Sequence, residues 1–226
     1  MAPLNAGDFQ RLLRVLALAA LVPGVAHADA TSEITVTVTD TASRPVGDAV
    51  VVAVPNEPSA GATARPRAES LDQIDKEFVP RVKPVFVGST VTFPNHDNVR
   101  HHVYSFSPAK RFELPLYAGV PAQSVLFDKA GVVVLGCNIH DWMIGYIYVS
   151  ESPYYATTGA DGEVTISGIP AGDYTVRVWH PQLADVVEDT RRKLEANESA
   201  DMLWRVALKP EVRIRRAPSA TRRGPY

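Results

Sequence analysis

Val132-Val133-Val134-Leu135-Gly136-Cys137-Asn138-Ile139-His140-Asp141-Trp142-Met143-Ile144-Gly145-Tyr146-Ile147-Tyr148-Val149 reads as two short β-branched and aromatic runs separated by a polar loop. Such runs, bounded by glycine, have strand length and fall short of a helix. The same pattern continues outward in both directions. Residues 33–39 alternate strictly between apolar and polar, as a half-buried strand does. Further strand-like runs lie at 49–54, 78–80, 85–87, 90–93, 103–106, 124–127, 163–166, 174–179 and 203–208. Turn chemistry at 40–45 and at Asp161-Gly162 punctuates them. The 14 glycines and 18 prolines suit many short strands. Helical periodicity is weak everywhere except at 185–196, where a loop is the alternative. The expectation is an all-β protein of sandwich or barrel type.

Hydrophobic residues make up 46% and charged residues 21% of the 226, which excludes wholesale disorder. The net charge of −2 excludes nucleic-acid binding by bulk charge. Arg11 and Arg14 precede a short apolar run at 15–22, Pro23-Gly24 breaks it, and Ala26-His27-Ala28 follows. That order reads as a secretory signal peptide of residues 1–28, cleaved after Ala28, with Ala30 as the alternative point. The apolar run is too short to span a bilayer, so no transmembrane segment is expected and a bacterial periplasm is the expected destination. Past residue 211 the tail sets Arg213, Arg215, Arg216, Arg222 and Arg223 against Glu211, a basic and disordered end on an acidic body.

Export gives meaning to the single cysteine. An oxidising compartment makes an unpaired thiol a liability unless it is buried, joined to another chain or bound to something. Cys137, His140 and Met143 stand at C-x2-H-x2-M spacing in the loop between two strands. Thiolate, imidazole and thioether together suit copper, and a His2Cys site with a weak axial Met is the blue-copper arrangement. One more imidazole is needed, and His101-His102 follow the run at 90–95. His101 is the preferred ligand and His102 the competitor, since neighbouring strand residues point to opposite faces. His96 reads as a solvated loop residue, and His180 as a capping or packing residue at the end of a distant strand.

Residues 71–150 resemble a cupredoxin, the blue-copper domain of plastocyanin and amicyanin. Asp72-Gln73, Phe78-Val79-Pro80, Val87-Gly88, residues 90–95, residues 127–131 and the Cys137 loop carry the resemblance in that order. The short ligand loop is most similar to that of amicyanin. The stretches at 101–117 and 136–143 are also similar to periplasmic proteins often labelled "methylamine utilization protein", a label that establishes no role in methylamine metabolism. The resemblance implies a Greek-key cupredoxin sandwich with one copper ion, cycling between Cu(I) and Cu(II), on His101, Cys137, His140 and Met143. It departs from the plastocyanin pattern at His102, where Asn is usual, and at Asn138, where Ser or Thr is usual. Those two are expected to keep a contact between the ligand loops with the chemistry exchanged. Asp141 follows His140, where proline is common.

Residues 43–51 and 158–174 resemble the two halves of a carboxypeptidase regulatory-like β-sandwich, an immunoglobulin-like module without chemistry of its own. The organisation expected is a first half-sandwich at 29–56, a linker at 57–70, the copper domain at 71–150, the second half-sandwich at 151–210 and the tail at 211–226. One continuous sandwich with extra strands is the alternative. The resemblance implies a non-enzymatic electron carrier, with copper storage or delivery and a non-redox interaction module as alternatives. His140 would be the electron port, with Trp142, Ile144, Pro115 and Leu116 as an apolar docking patch. A c-type cytochrome or periplasmic dehydrogenase would be the partner, and the chain is expected to be a monomer. A carboxylate beside His140 should favour the oxidised metal. Asp141→Asn should therefore raise the reduction potential of the copper-loaded protein, measured by redox titration.

Overall fold

The computed structural model describes residues 31–57, 65–121, 123–184, 190–196 and 199–211. The expected signal peptide with its cleavage points at Ala28 and Ala30, residues 58–64 of the linker, residues 185–189 of the periodic stretch and the basic tail from 212 lie outside the described residues. The chain is all-β, with no α-helix among the described residues. No helix among them is long and apolar enough to cross a membrane.

The strands, in chain order, begin with β1 (Thr31–Asp40), β2 (Val50–Pro55), β3 (Ala68–Ser70), β4 (Asp72–Ile74), β5 (Glu77–Val79) and β6 (Val82–Phe86). Next come β7 (Ser89–Thr92), β8 (His101–Ser107), β9 (Lys110–Tyr117), β10 (Val125–Phe127), β11 (Gly131–Cys137) and β12 (Ile144–Ser150). The last are β13 (Tyr154–Thr157), β14 (Glu163–Pro170), β15 (Asp173–Trp179), β16 (Arg192–Glu195) and β17 (Ala200–Val206). Two expectations change. Ala68–Ser70, placed in the linker, pairs with β7, and residues 192–195 of the weakly helical stretch form a strand against β15. Leu194 explains the latter, since it is buried beside Tyr174 in the core while its charged neighbours face out.

Strands β3 to β12 make a five-stranded sheet β6-β12-β11-β8-β9, a three-stranded sheet β10-β7-β3 and the hairpin β4-β5. Strands from the two flanks make β14-β1-β17 and β13-β2-β15-β16. None of these sheets mixes the two groups. Each group encloses its own core. Val91, Phe93, Val103, Phe127, Leu135 and Ile147 lie in the central one. Ile34, Val36, Val38, Val51, Val176 and Trp204 lie in the flanking one.

A third cluster joins the two groups. Val50 and Val52 of β2 meet Val82, Tyr148 and Trp179, while Val51 and Ala53 face the flanking core. This explains why 49–54 is apolar without alternation: β2 is buried on both faces. Arg177 crosses the same junction, donating from Nε to the Tyr148 hydroxyl at 3.1 Å and from Nη2 to both oxygens of Glu151.

His180 follows β15, is 6% exposed, and accepts the Gln182 N–H on Nδ1 at 3.2 Å. Burial lowers its pKa below the ordinary imidazole value, with Arg81 adding to the shift and Asp48 and Glu211 opposing it. An imidazole that takes its proton more readily in the unfolded chain makes its full contribution to stability above the unfolded pKa, about 6.5, and loses it as pH falls through that value. Thermal unfolding of the metal-free protein should show Tm declining below about pH 6.5. His180→Gln should flatten that part of the profile.

Candidate metal centre

The strand period of two decides which histidine turns inward. In β8, His101, Val103 and Ser105 are buried, while His102, Tyr104 and Phe106 face the other side. β8 runs antiparallel to β11, with Val103 opposite Cys137 and Tyr104 opposite Gly136. The start of β8 and the end of β11 therefore lie at one end of the sheet, next to the loop that leads into β12. Gly136 permits the close approach of the two strands' outer faces. A Cβ there would stand 2.7 Å from the Tyr104 ring.

Three ligand-type atoms converge at that end. His101 Nδ1 lies 3.7 Å and His140 Nδ1 3.9 Å from Cys137 Sγ. All three donor atoms fall within 4.8 Å of one another. A metal ion with bonds of about 2.0–2.3 Å to nitrogen and sulfur, at angles near 120°, would hold sulfur and nitrogen about 3.7 Å apart. Both sulfur–nitrogen distances are thus near those of a trigonal ion. Met143 is 1% exposed, belongs to the same core cluster as Cys137, and donates its N–H to the His140 carbonyl at 2.9 Å. His101 and Cys137 are buried and His140 is half-buried. The two imidazole rings meet edge to face with centroids 5.0 Å apart.

Behind His101 a set of polar groups is paired, while Gln73 Oε1 and the Trp142 indole nitrogen are buried without a hydrogen-bond partner among the described residues. His101 Nε2 lies 2.7 Å from Asp97 Oδ2. Burial works against ionisation of Asp97. The His101 hydrogen bond and the N–H groups of Lys76 and Asp75 outweigh it and hold the carboxyl below the usual range. Tyr117 of β9 sits opposite His101, donates to the Phe93 carbonyl and accepts from Gln73 Nε2 at 2.6 Å. Burial pushes its hydroxyl up to about 12, with the nearby Cys137 adding to the shift and the Gln73 bond opposing it.

The other residues singled out from the sequence are placed as follows. His102 turns away from Cys137, with Nε2 2.9 Å from Glu113 Oε1 and its ring beside Tyr104. Among the described residues no hydrogen bond joins His102 to Asn138, and the His102 ring nitrogen stands at ion-pair distance from Glu113 instead. The cause is the β8 alternation, which sends His102 to the outer face. Asn138 and Asp141 are exposed. The Trp142 ring packs 5.1 Å from that of His140. Ile144, Pro115 and Leu116 are exposed, and Ile144 lines an open groove of about 510 Å³ together with Tyr104, Phe106, Val134 and Asp141. His96 is exposed, with Nε2 3.8 Å from Asp72 Oδ1. Asp97 and the outer aromatic pair Tyr104 and Phe106 escaped the sequence reading. A carboxylate four residues before a candidate ligand was the available signal for Asp97.

No protein-family model matches the chain, and no curated protein matches it. Solved structures that resemble it include a purple cupredoxin from Nitrosopumilus maritimus, 26% identical over 37% of this chain and 99% of that one, with a TM-score of 0.32. They also include a reduced amicyanin variant, 25% identical over 44% of this chain and 98% of that one, with a TM-score of 0.34. A second amicyanin variant, in its reduced Cu(I) form, has the same identity, coverage and TM-score.

His101 and His102 give a direct comparison of inward and outward imidazoles. Titration of the purified protein with Cu(II) and with Cu(I) should show His101→Gln losing at least about tenfold in affinity, the lower end for removal of a ligand's support. His102→Gln should bind as the unaltered protein does.

Proposed function

We propose that this chain is a type 1 (blue) copper protein that carries single electrons between redox partners. The observation that supports this reading most is the Cys137 sulfur flanked by two imidazole Nδ1 atoms at 3.7 and 3.9 Å, with Met143 buried in the same cluster. His101, Cys137 and His140 would hold the ion and Met143 would be its weak axial neighbour. That donor set, soft sulfur with borderline nitrogen, suits copper over harder ions. Copper supplies a one-electron couple when bound.

The chain's own residues would do the rest. Burial of His101 and Cys137 keeps water from the ion on the core side. The strand framework fixes the donors, so little rearrangement accompanies a change of charge. His140, half-buried at the edge of the site, is the proposed electron port. Trp142 and Ile144 would offer apolar contact around it, with Pro115 and Leu116 as further candidates. Its partner would be a redox protein such as a c-type cytochrome or periplasmic dehydrogenase, met in the periplasm after removal of residues 1–28. We assign the chain no catalytic role. His96 beside Asp72 and His180 in the flanking group leave few imidazoles for a second copper cluster.

The domain reading is proposed with it: a copper domain at 71–150 inserted between half-sandwiches at 29–56 and 151–210. Support comes from the separate cores and unmixed sheets. Insertion at a loop is cheap because closure entropy grows slowly with loop length.

A visible spectrum and redox titration of the copper-loaded protein test the function. An intense thiolate-to-copper absorption and a reversible one-electron couple are expected, and Cys137→Ala should abolish both. Copper binding that survives that substitution would overturn the site. Tight Cu(I) binding without reversible cycling would move the reading to copper delivery.

A further inference from the structure

His101 has two ring nitrogens, and only Nδ1 faces Cys137. The other, Nε2, meets the Asp97 carboxylate at 2.7 Å, and the His101 side chain is fully buried. Asp97 takes two more hydrogen bonds. The Asp75 N–H donates to Oδ1 at 2.7 Å and the Lys76 N–H to Oδ2 at 2.8 Å. Both donors come from the two-residue turn between β4 and β5, where Asp75 and Lys76 adopt φ of 53° and 60°. Positive φ at a non-glycine residue is unfavourable because Cβ crowds the following carbonyl. Two N–H groups converging on one carboxylate offset part of that cost.

The loop around Asp97 is equally tied down. Asn95 accepts the Asp97 N–H on Oδ1 at 2.9 Å and donates from Nδ2 to the carbonyls of Val99 and Tyr117 at 2.8 and 3.1 Å. Gln73 and His96 exchange backbone bonds with the same loop, Gln73 N–H to the Pro94 carbonyl and His96 N–H to the Gln73 carbonyl. The carboxylate therefore reaches His101 from a braced position.

The chemistry follows from donor counting. An ionised carboxylate only accepts hydrogen bonds. A neutral His101 must then carry its proton on Nε2, which leaves the Nδ1 lone pair aimed at the position between His101 and Cys137. The opposite tautomer would point an N–H there and bind no metal. Three donors on two oxygens also need a group with no N–H of its own. Asparagine at 97 would present its NH2 either to a turn N–H or to His101 Nε2.

We propose that Asp97 is a positioning residue: held by the Asp75–Lys76 turn, it fixes His101 in the Nε2–H tautomer and makes Nδ1 a stronger donor, so that the site favours the more highly charged Cu(II). The proposal deepens the copper reading and rests on it. A carboxylate behind a ligating imidazole raises the ligand's basicity, and loss of such a partner typically costs 10–100-fold in metal affinity. The preference for Cu(II) arises because a stronger donor and an added negative charge stabilise the higher charge more.

The test uses the full chain in two forms. In the metal-free protein, imidazole nitrogen shifts from 15N NMR should place the His101 proton on Nε2, and Asp97→Asn should move it toward Nδ1. In the copper-loaded protein, Asp97→Asn should lose about 10–100-fold in Cu(II) affinity and less in Cu(I) affinity. Each tenfold excess in the Cu(II) loss corresponds to a rise of about 59 mV in reduction potential. Asp97→Glu, which keeps an acceptor-only group, should hold the tautomer and recover most of the affinity. If Asp97→Asn does not fold, the wild-type tautomer decides: a proton on Nε2 supports the assignment and one on Nδ1 overturns it. A wild-type chain that takes no copper overturns the copper reading and leaves the tautomer test standing. A copper-loaded chain whose potential and His101 tautomer ignore Asp97→Asn overturns the Asp97 assignment alone.

Discussion

A buried sulfur with two imidazole nitrogens aimed at it is a demanding arrangement. Cys137 by itself would pack as a small apolar side chain, and a core needs no histidine beside it. His101, fully buried, and His140 both turn Nδ1 toward Sγ. Much of the central group can be traced to the requirement that these three atoms meet. The antiparallel pairing of β8 with β11 brings Val103 opposite Cys137, so His101 arrives from the next inward position. The loop from Asn138 to Met143 closes on itself through the Met143 N–H and the His140 carbonyl, which returns His140 to the sulfur. Gly136 lets Tyr104 lie on the strand beside it.

Support comes from two sides. Beneath the site, Phe93, Phe127, Val103 and Leu135 fill the space between the sheets, and Gln73 Nε2, the Tyr117 hydroxyl and the Phe93 carbonyl hydrogen-bond to one another inside that apolar volume. Buried polar groups cost free energy unless paired, so this trio fixes β9 against the loop after β7. On the far side of the five-stranded sheet, Tyr148 and Val82 press against Val50, Val52 and Trp179 of the flanking group. The outer face is therefore divided. One part is covered by the flank, and the part bearing Phe106, Val134 and Ile144 faces solvent next to the site.

How much of this the sequence carried depended on locality. Alternation identified β1, which has one face in a core and one outside, while short strand-like runs marked β8, β14 and β15. It also separated His101 from His102, since adjacent residues of one strand face opposite ways. β9 was hidden by Lys110, Arg111 and Pro115, which read as loop chemistry although Leu114 is buried. β13, half-buried at every position, shows no alternation to detect. β3 and β4 are too short to carry a period. The Asp97 contact is the clearest case of non-local information: its carboxylate meets N–H groups more than twenty positions earlier in the chain, through a turn whose residues at positive φ are neither glycine nor asparagine. Loop shape set that contact, and no periodicity encodes it.

The pairing of β2 with β13 and of β1 with β17 has a consequence for how the chain assembles. The first joins Ala53 to Tyr154, on either side of the central strands, and the second joins Val38 to Trp204, across most of the chain. The central group includes the hairpins β4-β5, β8-β9 and β11-β12 beside longer pairings such as β6 with β12. Contacts that close long loops form more slowly than local ones. The hairpins beside Cys137 therefore carry a smaller closure cost than the flanking pairs, whose partners must meet from the two sides of the central strands.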